Sequence, residues 1–235
     1  MLTPEDQSRI AQAVATAEAK TAGEIYCVLT PRASEYREVP LAWACVAALA
    51  LPPLALLLGF RPRALEALFG GWTIGQDGAV GATVLSAVSA YIVLQAAVLV
   101  AALLLLSIPA VRRAVTPSGL AAERVRRAAL DQFLGHGLHL TRDRTGVLIF
   151  AALEERRAEV IADEGIYAAA PPEVWDEVVG LLVAGLKRGE AAEGFVAAVT
   201  RSGEILAEHV PPRGGNPNEL SDRIVILDPE APARA

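Results

Sequence analysis

The chain is 235 residues long and 53% hydrophobic, with a formal net charge of -6 and a pI near 5.2. That balance excludes a nucleic-acid-binding footprint, which needs clustered positive charge. Two cysteines, Cys27 and Cys45, exclude a disulfide framework or a thiolate zinc site.

Taken in chain order, Met1-Leu2-Thr3-Pro4-Glu5-Asp6 lacks the basic region and apolar core of a cleavable leader and reads instead as a helix start. Thr3 is the cap, Pro4 the first helical residue and Asp6 the capping-box partner. Ile10, Val14 and Ala17 form the apolar stripe, and Gly23 ends the helix region. Glu24-Ile25-Tyr26-Cys27-Val28-Leu29 is β-branched and aromatic, the composition of a strand.

Residues 39–60 and 78–111 contain no Asp, Glu, Lys or Arg. Each run exceeds the roughly 20 apolar residues that span a bilayer core as helix. The reading is a two-helix transmembrane hairpin, with spans at about residues 41–60 and 83–108. Pro52 and Pro53 are tolerated there because neighbouring helices re-satisfy the freed backbone groups. No ionisable side chain lies inside either span, which argues against a channel or transporter. Small residues at Ala44/Ala48 and Ala97/Ala101 allow close helix approach, so self-association into a homo-oligomer is an expectation. The arginine excess at Arg32, Arg37, Arg112, Arg113, Arg124, Arg126 and Arg127, against Arg61 and Arg63 in the connecting loop, orients the termini and the globular part to the cytoplasmic side of a cell or inner membrane.

Beyond the hairpin, Thr116-Pro117 reads as cap and first residue of a helix to about Gly135, with Val125, Ala129 and Phe133 on one face. Residues 146–153 and 158–162 are apolar runs joined by Glu154-Glu155-Arg156-Arg157, an antiparallel hairpin whose first strand is central and covered on both faces. Pro171-Pro172 opens a helix through Leu186, Gly189 separates it from another through Leu206, and a loop from Val210 to Asn218 leads to a last strand at 223–227. The fold class is therefore α/β, one sheet with helices on both faces, interrupted by the transmembrane hairpin. Residues 1–38 and 112–228 make one domain, 39–111 the insertion, and 229–235 a tail.

Folding back at residues 154–157 brings Asp143 to the same sheet edge as Asp163 and Glu164. Carboxylates so placed can bind a divalent cation, calcium or magnesium, or share a proton. They can equally be an ion-pair cluster with Arg142 and Arg144. Glu18, Thr21 and Glu24 form a second group, and Asn218, Glu219 and Asp222 a third, each most simply structural. His136 and His139 lack a third ligand and make a poor zinc site, and His209 complements a helix C-terminus.

Three segments resemble the TPM-domain family: Glu18-Ala19-Lys20-Thr21-Ala22-Gly23-Glu24-Ile25-Tyr26, then residues 140–150 around Arg142-Asp143-Arg144, then residues 155–166 ending Asp163-Glu164-Gly165-Ile166, with Asn218-Glu219-Leu220 later. That family includes a thylakoid-lumen acid-phosphatase-like protein of photosystem II repair. The resemblance implies an α/β sandwich and a metal-dependent phosphatase activity at acidic side chains, for which Asp143, Asp163 and Glu164 are the matching positions. Two functions follow. One is a membrane-anchored interaction module for the assembly or maintenance of another membrane protein, and the other is a phosphate-ester hydrolase using a divalent cation. The carboxylates lack a full ligand set, which favours the first.

Overall fold

The computed structural model describes residues 2–59, 79–141, 144–212 and 219–227, without the side chains of 79–86 and 167. The chain divides into two compact units, Met1–Glu35 with Pro117–Ala235, and Tyr36–Thr116.

The first unit opens with α1 (Pro4–Glu18), started by the capping box that the sequence indicates: Asp6 N–H donates to Thr3 Oγ1 at 3.1 Å and Thr3 N–H to Asp6 Oδ2 at 2.9 Å. The helix ends at Glu18 rather than at Gly23, with Ala19 as its cap, and a short turn leads into β1 (Glu24–Thr30). β1 is buried along its whole length. It pairs in parallel with β2 (Gly146–Ala152), Glu24 opposite Gly146 and Thr30 opposite Ala152. β2 turns back through residues 153–156 into β3 (Arg157–Ala162), and the two pair antiparallel as their sequence predicts. β4 (Val225–Ile226) joins the other side of β1 in parallel, giving the order β3-β2-β1-β4. Only two of the five residues read as the last strand enter the ladder.

Alternation sorts the central strands into two apolar layers. Ile25, Cys27, Leu29, Val147, Ile149 and Ala151 face a core shared with α1, α7 (Val174–Arg188) and α8 (Ala191–His209). Tyr26, Val28, Leu148, Phe150 and Ala152 face α5 (Ser118–Gly135) through Val125, Ala129 and Phe133. Helices therefore cover both faces, and β2 is central as its unbroken apolar run requires. Burying a side chain such as Phe150 or Phe195 contributes about 1.5–3 kcal/mol. α5 differs from expectation at its start: Pro117 is the cap residue and Ser118 the first helical one, while the Thr116 hydroxyl donates back to the Arg112 carbonyl at 2.7 Å.

The second unit holds α2 (Glu38–Leu57), α3 (Ala79–Leu106) and α4 (Pro109–Val115). Two segments, Glu38–Leu57 and Ala87–Leu106, are long and apolar enough to cross a membrane, with mean hydropathy 1.9 and 2.4. α2 packs on α3. Ala44 and Ala48 are buried within this unit, so that small-residue stripe is used inside the hairpin, whereas Ala97 and Ala101 are exposed.

α7 and α8 meet where two glycines touch. A Cβ on Gly185 would lie 2.6 Å from Gly194 Cα and 2.9 Å from the Glu190 carbonyl oxygen, both backbone atoms that cannot move aside. Gly185→Ala should lower unfolding free energy by ~1–3 kcal/mol in urea titrations. Gly180→Ala, which meets nothing within 4 Å, should leave stability unchanged or raise it.

Candidate functional site: an acidic strand-end mouth

The parallel register places the start of β1, the start of β2 and the end of β3 side by side: Asp163 N–H donates to the Gly146 carbonyl at 2.9 Å, and Glu24 N–H to the Thr145 carbonyl at 3.1 Å. Hydroxyls lock this mouth. Thr145 Oγ1 donates to the Ala22 carbonyl at 3.0 Å, Thr21 Oγ1 donates to the Val210 carbonyl, and Thr21 Oγ1 in turn accepts from Gly23 N–H at 3.0 Å. All these bonds are buried, where an unpaired polar group would be costly.

Two sets of carboxylates stand here in opposite electrostatic conditions. Asp163 is buried at the β3 exit, where it caps α6 (Glu164–Tyr167) by accepting Glu164 N–H at 2.7 Å on Oδ1. Arg144 brings Nε to within 3.3 Å of Asp163 Oδ2 and Nη2 to within 3.5 Å of Glu164 Oε2. Arg144 itself has φ 55°, a left-handed conformation that non-glycine residues adopt at a cost of about 1 kcal/mol or more, and its carbonyl accepts Gly165 N–H at 3.0 Å. Asp163 and Glu164 are thus brought together as an Arg144-clasped pair, Glu164 extending into solvent. Asp143 and Arg142 lie outside the described residues.

The second set joins groups far apart in sequence. Glu18 at the end of α1 accepts Ile25 N–H at 2.7 Å, and Glu24 on β1 accepts Leu220 N–H at 3.3 Å from the loop before β4. Burial pushes the Glu18 carboxyl up to about 8, against the Ile25 hydrogen bond and with the help of the Glu24 and Asp222 charges. Glu24 is also raised, by burial first and by Glu219 and Asp222 after it, while the N–H groups of Leu220 and Glu219 pull the other way. The sequence singles out Glu18, Glu24, Glu219 and Asp222 in two separate groups; the β1–β4 pairing makes them one. These groups feel one another's charge, but among the described residues no three His, Cys, Asp or Glu side chains converge closely enough to hold a metal ion.

Beside the mouth, on the α5 face, the buried Tyr26 hydroxyl is 3.2 Å from His136 Nδ1, and His136 Nε2 is 3.2 Å from Gln132 Oε1. This contact joins residues 110 apart and left no local signal in the sequence. His136 is therefore tied to a tyrosine rather than paired with His139, whose ring packs near Phe133.

A four-stranded mixed sheet layered between helices, with acidic residues gathered at one strand end, defines an α/β domain of a compact two-core type. Residues 112–205 match the family model described as the TPM domain. The matched stretch includes α5, β2, β3, α6 and α7; α1 and β1 complete the layers from before the hairpin. The NMR structure of the BA42 protein from the psychrophilic bacterium Bizionia argentinensis sp. nov. is similar at TM-score 0.54 and 18% identity, over 97% of this chain and 96% of that one. Such a likeness speaks for the fold alone. No curated protein matches the chain.

Glu18 gives the mouth a measurable pH dependence. The folded protein retains its proton up to about pH 8, whereas the unfolded chain releases it near 4.5. Across that window the folded state binds more protons, so stability falls as pH rises, by at most ~1.4 kcal/mol per unit from this group. Glu18→Gln keeps an oxygen for Ile25 N–H and should flatten the fall, which urea unfolding at a series of pH values between 4.5 and 8 will read.

Proposed function

We propose that this chain is a membrane-anchored TPM domain that serves as an interaction module in the assembly or maintenance of another membrane protein. The observation that carries the reading is the state of the hairpin unit. No residue from Ala87 to Leu105 is buried, and Leu41, Leu49, Leu57, Ile92 and Leu104 are all exposed. A helix from a soluble core would be covered; apolar surface of this extent costs about 25 cal/mol per Å² in water, and a bilayer removes that cost. The arginine bias favours a cytoplasmic TPM domain in a cell or inner membrane. Exposed Ala97 and Ala101 leave room for a second copy to pack on α3.

The TPM unit offers exposed leucines for a partner in Leu130 and Leu134, one turn apart on α5, and in Leu140. Alkaline carbonate should leave the protein in the membrane pellet, and a reporter after Ala235 should read cytoplasmic. A photo-crosslinker at Leu134 in intact membranes should give one discrete adduct with an integral membrane protein. A diffuse ladder or none would refute the interaction role.

A second reading, a metal-dependent phosphatase using Asp143, Asp163 and Glu164 with calcium or magnesium, is favoured by the gathering of further carboxylates at the same strand end. The described pair does not fit a cation as it stands. Asp163 Oδ1 already takes the Glu164 N–H, and the Arg144 guanidinium lies against Oδ2 where a metal would have to approach. Asp163→Asn should therefore lower stability by ~1–3 kcal/mol equally with and without calcium or magnesium. Selective loss of cation-dependent stabilisation, together with loss of phosphatase activity, would reverse the ranking of the two functions.

A further inference from the structure

The hairpin unit has a polar end built with more order than an anchor requires. α3 stops at Leu106, where Ser107 Oγ donates to the Leu104 carbonyl at 2.6 Å, and Ile108 turns extended so that Pro109 can open a separate short helix. That helix, α4, packs against both α3 and α2. Its C-terminal end is fastened: Trp43 Nε1, on the second turn of α2, donates to the Val115 carbonyl at 3.2 Å. That carbonyl is one of those a helix leaves without an internal partner at its C-terminus. A half-exposed tryptophan with its N–H satisfied in this way has the amphipathic placement that indole rings take at a membrane-water boundary.

Charge follows the same boundary. In the described part of this unit the charged residues are Arg37, Glu38, Arg112 and Arg113, all at the α2 start or on α4, and everything beyond them along α2 and α3 is uncharged. Their sum is positive. In the sequence of the opposite connection, Arg61 and Arg63 are cancelled by Glu66 and Asp77. Arg113 is exposed, Arg112 half-buried, and Ile108 is exposed at the start of the same short helix. Arg112 stands one turn along α4 from the exposed Ile108, with Arg113 next to it in sequence, so guanidinium forks for phosphate, an apolar side chain and the Trp43 indole all belong to this end of the hairpin.

We infer that this end of the hairpin is a binding surface for anionic phospholipid headgroups, made by Arg112 and Arg113 on α4 and held in place by the Trp43 to Val115 hydrogen bond. The choice of lipid rests on charge complementarity at the depth where the apolar helices end. It depends on the membrane-anchored reading above.

The full chain in nanodiscs of mixed phosphatidylcholine and phosphatidylglycerol, probed with spin-labelled forms of each lipid, tests it. The wild type should select the glycerol headgroup roughly five-fold per contributing arginine, and added salt should weaken the preference. R112Q/R113Q should bring selectivity to near unity, while R112K/R113K retains part of it. W43F, which keeps every charge, should reduce selectivity by releasing α4. Equal association of both lipids with the wild type, or selectivity that survives R112Q/R113Q, overturns the inference. Selectivity removed by inorganic phosphate at matched ionic strength would point to a soluble anion instead and overturns it as well. Failure of the chain to enter nanodiscs at all would show itself separately, as loss of the membrane reading and of this inference with it.

Discussion

Everything in the α/β unit depends on the parallel pairing of β1. β1 is buried on both faces and edges, so each of its N–H and C=O groups must find a backbone partner. Those partners lie on β2 and β4, on the far side of the apolar insertion. Once Glu24 stands opposite Gly146, the rest of the mouth is fixed: the Thr145 hydroxyl reaches Ala22 across 123 residues of sequence, Asp163 N–H closes on Gly146, and the loop before β4 caps Glu24. The acidic site is a product of strand register, with no local motif of its own.

Within that frame the protein treats its carboxylates unequally. Asp163 has a backbone donor on Oδ1 and a guanidinium beside Oδ2. Glu18 has one backbone donor, deep burial and like charges near it, and burial wins. The competing influences on Glu24 are the same in kind, with two backbone donors set against burial and the charges of Glu219 and Asp222. Proton retention is therefore favoured on the α1–β1 side of the mouth, while on the β3 side Arg144 stands against the carboxylates.

Where the sequence was readable, the deciding interactions were local. The Thr3–Asp6 capping box spans three residues, and the β2–β3 hairpin needs only its own turn and its apolar runs. Two apolar helices and a sheet covered on both faces follow from hydropathy and alternation alone. The misreadings share a different cause. Thr116 looked like a cap, but its hydroxyl satisfies the end of the preceding helix instead. Glu18 and Glu24 read as separate from Glu219 and Asp222 because only the parallel β1–β4 pairing unites them. The Arg144 contact with Asp163 and Glu164 was one of two alternatives open in the sequence, and it comes with a left-handed turn at Arg144 that no sequence motif marks. Ala44 and Ala48 advertised a helix contact without saying with which helix.

The β1 register also sets a schedule for biosynthesis. The strand leaves the ribosome early, yet its first partner, β2, begins 122 positions after Glu24. At ~5–20 residues per second this leaves a wait of roughly 6–25 seconds. Throughout that interval the two most apolar helices of the chain are being made, so the nascent chain carries an unpaired, aggregation-prone edge just when its hairpin emerges. Completion of the sheet then acts as a receipt: a closed β1–β2 ladder exists only in chains whose intervening hairpin has been made in full.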